Sequence, residues 1–253
     1  MTGRLAVIGL GPGDPEWMTM EARALIAGAH EVFGYAPYLA RLALRPDQRA
    51  HASDNREERA RAEAALACAA AGQSVAVVSG GDPGVFAMAA AVVEAIEAGP
   101  AAWRALDVRV SPGVSAMQGA AARLGAPLGH DFCAISLSDN LKPWAIVERR
   151  LRAAAEGDFV IALYNPASKS RPDSIGAAFA LLRAAKGAQI AVALARAVGR
   201  PDERVTLTTL GDVDAALVDM ATLVIVGSSE TRFVERPGGQ RLMLTPRRYG
   251  AAR

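Results

Sequence analysis

A chain of 253 residues with 51% hydrophobic and 21% charged residues is globular in composition and long enough for one large or two small domains, whose folding would remove roughly 70–75% of the unfolded surface from water. No run of 18 apolar residues predicts a membrane span, and Met1 to Arg4 lacks the features of a secretory signal, so a cytoplasmic protein with no membrane partner is expected. A net charge of +2, with Lys and Arg interleaved among Asp and Glu, argues against nucleic acid as a partner. Cys68 and Cys133 are too few for a disulfide framework and have no metal-ligand spacing, so both are read as reduced thiols and no metal site is expected.

Strand-like and helix-like segments alternate along the chain, which predicts an α/β fold. Leu5 to Ile8 is a short apolar run of the buried parallel type, and Gly9 to Pro15 then places three glycines and two prolines in seven residues. Thr19 opens a helix to about Ala29, Glu31 to Tyr35 is a strand, and Glu57 to Ala71 is a helix stopped by Gly72 in the left-handed position of a C-terminal cap. Ser74 to Ser79 is again a buried strand; Gly80-Gly81-Asp82-Pro83-Gly84 follows it, then a helix over Val85 to Ala98. Asp107 to Ser111 leads through Pro112-Gly113-Val114-Ser115 into a helix over Ala116 to Leu124. Three strands thus run into open loops of similar chemistry. In open α/β sheets ligands bind beyond the carboxyl ends of strands, where glycine lets main chain approach a ligand closely.

Gly9-Leu10-Gly11-Pro12-Gly13 only superficially matches a dinucleotide fingerprint. Pro12 and Asp14-Pro15 stand where a Rossmann helix should be under way, and no acidic residue closes the second strand to hold a ribose. An NAD-dependent oxidoreductase is therefore the weaker reading, and a non-catalytic binding or carrier module is another alternative.

The Gly/Pro-rich stretch Gly125 to Gly129 suggests a boundary, giving an N-terminal domain over 1–127 and a C-terminal one over 128–253. In the second half the strands are read as Phe132 to Leu137, Asp158 to Leu163, Gln189 to Leu194, Arg204 to Thr209 and Thr222 to Val226. Helices are read at Pro143 to Ala155 and Ser174 to Ala185, and from Ser228 onward a loose tail or short edge element is expected.

Four motifs together, V-I-G-L-G-P-G-D-P at Val7 to Pro15, G-G-D-P at Gly80 to Pro83, P-G-V-S-A at Pro112 to Ala116 and Y-N-P at Tyr164 to Pro166, resemble those of the tetrapyrrole methyltransferases of cobalamin and sirohaem synthesis. Within that family the run Gly125 to Ser138, with Asp139 and Pro143-Trp144, resembles the C-17 branch more than the uroporphyrinogen or C-11 branches. The resemblance implies two α/β domains with mostly parallel or mixed sheets, an active-site cleft between them and a homodimer. It implies S-adenosyl-L-methionine as co-substrate, released as S-adenosyl-L-homocysteine, and a tetrapyrrole as substrate: precorrin-3B, methylated at C-17 with ring contraction to precorrin-4. Residues implied to line the methyl donor are Pro12, Gly80, Gly81, Asp82, Val85, Ser115, Ala116, Tyr164, Asn165 and Ala197. Where this chain has Gly80, Phe86 and Ala197, the family often carries Ser, Tyr and Asn.

Alignment of the reacting carbon with an activated methyl asks for no protein nucleophile. Ring contraction, in contrast, needs a base for a hydroxyl proton and an acid to help open a lactone, and His130, Asp131, Ser136, Ser138 and Asp139 are the titratable or hydroxylic candidates in the branch-specific segment. Bracing of the connector is the competing role for His130 and Asp131, as a turn cap is for Asp82. The substrate's carboxylates would call for cations, and Lys142, Arg149, Arg150, Lys169, Arg171, Arg196 and Arg200 stand near loops or helix starts of the second half.

Overall fold

The computed structural model describes residues 3–54, 56–167 and 173–250. The chain divides into two compact units, Met1–Ala116 and Met117–Arg253.

The first unit is an all-parallel five-stranded sheet. Its strands are β1 (Arg4–Gly9), β2 (Glu31–Tyr35), β3 (Arg49–Ser53), β4 (Ser74–Ser79) and β5 (Asp107–Ser111), in the order β3-β2-β4-β1-β5. Side chains alternate faces along a strand, so one strand serves two cores. Leu5, Val7, Val75 and Val77 face helices α3 (Glu58–Ala70) and α4 (Met88–Ala98), whereas Ala6, Ile8, Ala76 and Val78 face α1 (Met20–Ala27) and the four-residue α2 (Ala36–Leu39). Burial on both faces explains why β1 and β4 read as continuous apolar runs.

Local signals account for most boundaries. The Thr19 hydroxyl accepts from the Ala22 amide at 3.0 Å and caps α1, and Gly72 takes φ 91° just after α3, as expected of the glycine there. Helix α4 begins at Met88, not at Val85, because Phe86 adopts the left-handed conformation, φ 52°, and prolongs the loop after β4. Neither α2 nor β3 has a counterpart in the sequence reading; the R-A-H-A-S of β3 lies on the sheet edge and is mostly exposed.

In the second unit, β7 (Phe132–Ser136), β8 (Val160–Tyr164), β9 (Ala191–Arg196), β10 (Arg204–Thr209) and β11 (Thr222–Val226) form a mixed sheet in the order β10-β9-β11-β8-β7. Only the β7–β8 pair is parallel. Helices α6 (Trp144–Glu156) and α7 (Ser174–Lys186) cover one face, where Leu137, Val147, Leu151, Leu163, Ile175 and Leu182 form the centre of the core.

The segment after Ser228 is not a loose tail. Strands β12 (Arg232–Glu235) and β13 (Arg241–Leu244) form a hairpin, and Met243 and Leu244 pair in parallel with Gly125 and Ala126 of β6 (Gly125–Ala126). The Thr245 hydroxyl, buried, donates to the Pro127 carbonyl at 2.6 Å. Gly125 to Pro127 is therefore built into the second unit, together with the preceding α5 (Ala116–Leu124), most of which also lies there. For that reason the division falls at 116/117, earlier than the Gly/Pro stretch placed it.

Candidate functional site

In the first unit, β4, β1 and β5 are neighbours and all point the same way, so their three loops emerge side by side. The loops are joined glycine to glycine. Gly11 and Gly81, both left-handed at φ 70° and 68°, exchange two main-chain hydrogen bonds of 3.2 and 2.9 Å. A Cβ on Gly9 would stand 2.7 Å from the Gly113 nitrogen and the Gly81 oxygen, and one on Gly113 would stand 2.3 Å from that same oxygen. Such approaches admit no side chain, which is the physical need behind the glycines at 9 and 113.

Asp82 joins the second loop to the third. Its Oδ1 accepts from the Gly84 amide at 2.8 Å and its Oδ2 from the Gly113 amide at 3.0 Å. A turn cap within its own loop is therefore real, although α4 itself begins later with Ala87 at its cap. Around this knot, Pro12 and Ser115 are buried, Gly80, Gly81, Val85 and Ala116 are half-buried, and Phe86 is exposed.

Two residues that carried no sequence signal pack onto the same loops. The Tyr38 ring lies over Gly80 so closely that a Cβ there would be 2.7 Å from Cζ. Arg41 Nη2 donates to the carbonyls of Leu10, Gly11 and Gly13 at 3.4, 3.3 and 3.1 Å. Both belong to α2 and the residues just after it, a segment too short for helical periodicity to announce.

In the second unit, three implied residues sit at or just beyond the ends of β8 and β9. The Tyr164 hydroxyl accepts from the Met117 amide at 3.0 Å near the start of α5, and Asn165 Nδ2 donates to the buried Ser136 Oγ at 3.0 Å. Asn165 and Ala197 are both left-handed, at φ 51°. With Phe86 they make three of the four described non-glycine residues in this conformation, and all three lie on implied site loops, where backbone strain of this kind tends to collect. Asn tolerates the conformation well and Ala does not, so the Asn of the family pattern suits position 197 better than this chain's own Ala.

The candidates for acid and base are not brought together. His130 and Asp131 precede β7, whereas Ser138 and Asp139 follow it, and a five-residue strand puts about 16 Å between the two pairs. His130 instead packs edge-on against Tyr249, with ring centroids 4.8 Å apart, and its Nδ1 accepts from the Asp131 amide. Ser138 shares the far end of β7 with Ser136 and Asn165: the Ser138 amide donates to Ser136 Oγ at 3.3 Å. Strand length is what the linear sequence concealed, since eight positions of extended chain span the whole sheet.

The proposed carboxylate ligands fare unequally. Arg196 is engaged by Asp202 at 2.7 Å and Asp219 at 2.9 Å, and Lys142 Nζ donates to the Ser138 carbonyl at 2.9 Å. Arg149, Arg150 and Arg200 are exposed, and Lys169 and Arg171 lie outside the described residues. Burial pushes the Cys68 and Cys133 thiols up, which keeps them protonated and poor nucleophiles. Among the described residues no group of His, Cys, Asp and Glu is arranged to hold a metal ion, and no helix is long and apolar enough to cross a membrane.

Comparison with known proteins bears directly on these loops. The family model for tetrapyrrole (corrin/porphyrin) methylases matches residues 4–214. A precorrin-3B C(17)-methyltransferase of Sinorhizobium sp is 61% identical over 252 residues, which is 100% of this chain and 99% of the relative. A probable cobalt-factor III C(17)-methyltransferase of Salmonella typhimurium is 45% identical over 248 residues, covering 97% and 99% of the two chains. The chain spans about half (49%) of the longer mycobacterial relatives, which are 48% identical to it. Among solved structures, the methyltransferase CobJ superposes with a TM-score of 0.90 at 48% identity, covering 95% of this chain and 99% of that one.

Proposed function

The chain belongs to the tetrapyrrole (corrin/porphyrin) methylases, and on that footing we propose that it transfers a methyl group from S-adenosyl-L-methionine to C-17 of precorrin-3B, with contraction of the ring to precorrin-4. The observation that carries the reading is the 61% identity to a C(17)-methyltransferase along the full length of both chains.

A sulfonium is a good leaving group, so the donor supplies an already activated methyl, and the protein's part is to align it with the substrate carbon and exclude competing acceptors. The loop residues suit that part. Pro12, Gly80, Gly81, Asp82, Val85, Ser115 and Ala116 are assigned to the donor in the first unit, with main-chain groups of glycine-rich turns recognising its polar ends. Asp82 already spends one lone pair on each of two amides, so its contribution is to hold the loops as much as to meet the donor. Tyr164, Asn165 and Ala197 are assigned to it in the second unit. For the contraction, Ser138 and Asp139 are retained as proton-handling groups; His130 and Asp131, at the other end of β7, are not.

A cobalt-bearing substrate is the second reading, favoured by the 45% identity to the Salmonella relative. A cytoplasmic homodimer belongs to the same proposal. Purified chain supplied with S-adenosylmethionine and either precorrin-3B or its cobalt-containing counterpart decides between the readings. Mass spectrometry is expected to find a singly methylated, ring-contracted product from the metal-free substrate; turnover of the cobalt form alone selects the second reading, and methylation of neither sinks both.

A further inference from the structure

A loop with glycines at 9, 11 and 13 is intrinsically plastic, because glycine gives up more backbone freedom on ordering than any other residue. Something outside the loop has to hold its shape. On one side the Gly11–Gly81 bridge does so. On the other stands Arg41, roughly thirty residues along the chain, whose Nη2 serves the carbonyls of Leu10, Gly11 and Gly13. One nitrogen with two hydrogens is shared among three acceptors, so the carbonyls converge on a single cation. Carbonyl oxygens turned toward one another repel, and a half-buried guanidinium is a strong remedy.

The same segment reaches the second loop, where Tyr38 covers Gly80, and Leu39 anchors it in the core. The segment α2 to Arg41 thus rests on two of the three glycine-rich loops while taking no part in the sheet.

From this geometry we propose that Arg41 is a positioning residue: its guanidinium sets the Gly9–Pro15 loop in the shape that receives the methyl donor, so that the loop's ordering is completed before binding. The inference rests on the reading of that loop as part of the donor site. Pre-organisation lowers the cost of association, and its loss appears in donor affinity more than in tetrapyrrole recognition.

The test is calorimetric titration of the whole chain with S-adenosylhomocysteine, alongside steady-state kinetics, for Arg41→Met and Arg41→Lys. Met keeps the aliphatic arm and removes the donors; Lys restores a cation with three N–H groups. Arg41→Met is expected to weaken S-adenosylhomocysteine binding about tenfold, equivalent to about 1.4 kcal/mol, with the KM for the tetrapyrrole within about twofold of wild type. Arg41→Lys is expected to recover most of that loss. Wild-type affinity in Arg41→Met, an equal rise in both constants, or failure of both variants to fold would each overturn the positioning role. Wild-type protein that binds no S-adenosylhomocysteine would instead overturn the functional reading beneath it.

Discussion

Asp82 Oδ2 accepts a hydrogen bond from the Gly113 amide at 3.0 Å, so a carboxylate on the loop after β4 holds the loop after β5. The strand between them, β1, contributes Gly9, which has no room for a side chain against either neighbour. The three loops are in this sense one object. Their shape is set by contacts among themselves and with Arg41, and a ligand would meet a surface that is already formed.

Asp82→Asn is the sharpest probe of that object. An amide can accept from one of the two N–H groups but turns its own NH2 toward the other, which leaves a donor unsatisfied at a cost of about 1–3 kcal/mol. We expect a lower urea midpoint together with weaker S-adenosylhomocysteine binding. Weaker binding at an unchanged midpoint would mean that Asp82 acts on the ligand alone.

His130→Ala should turn precorrin-3B over at a rate within about twofold of wild type, and lose about 1 kcal/mol of stability from the edge-on contact with Tyr249. Asp139→Asn or Ser138→Ala should slow ring contraction by about a hundredfold if either group moves the proton. Separate quantitation of methylated and contracted products checks both. A His130→Ala enzyme that methylates but fails to contract the ring would return His130 to the chemistry.

Acid stability should depend on Asp158. Burial resists its ionisation, but hydrogen bonds from Lys186, from the Ser229 hydroxyl and amide and from Tyr249 outweigh this and hold the carboxyl at about 2, below its ordinary 3.8. A carboxyl depressed on folding adds stability that is complete above its unfolded value and disappears as pH falls toward its folded one. The window is therefore about pH 4 down to 2. Asp158→Asn should cost up to about 2 kcal/mol at pH 7, a difference from wild type that closes across this window in urea titrations. A difference independent of pH would refute the linkage.

Ala197→Gly should stabilise the second unit. Left-handed backbone costs an L-residue about 1–2 kcal/mol, against about 0.8 kcal/mol for the buried methyl that is lost. The net gain is about 0.2–1.2 kcal/mol, which corresponds to up to about 5 °C in Tm. A lower Tm on scanning calorimetry would show that the methyl contributes more than the strain costs.

The buried strands were legible because burial on both faces leaves a dense apolar signature, as at Leu5 to Ile8 and Ser74 to Ser79. The loops were legible because only glycine meets their geometry, visible at Gly9 and Gly113 without any coordinates. Other features left no local trace. β3 is an exposed edge strand with no apolar pattern, and the hairpin of β12 and β13 has strands of four residues, too short for alternation to stand out. Arg41 has meaning only through carbonyls distant in sequence, and any arginine looks like a solvated charge when read alone. The separation of His130 from Ser138 was hidden for a different reason: proximity in sequence along an extended strand is distance in space.

The pairing of β6 with β13 also bears on the order in which the molecule is made. The five strands of the first unit all lie before residue 116, so its sheet can form as soon as that stretch has left the ribosome. Gly125 and Ala126 emerge shortly afterwards, but their partners Met243 and Leu244 follow more than a hundred residues later, and the Pro127 carbonyl waits as long for Thr245. Closing so long a loop is slow compared with local pairing. The second unit therefore keeps one sheet unclosed until Arg241–Leu244 has emerged, and that strand decides when the nascent chain stops offering an open edge to its neighbours.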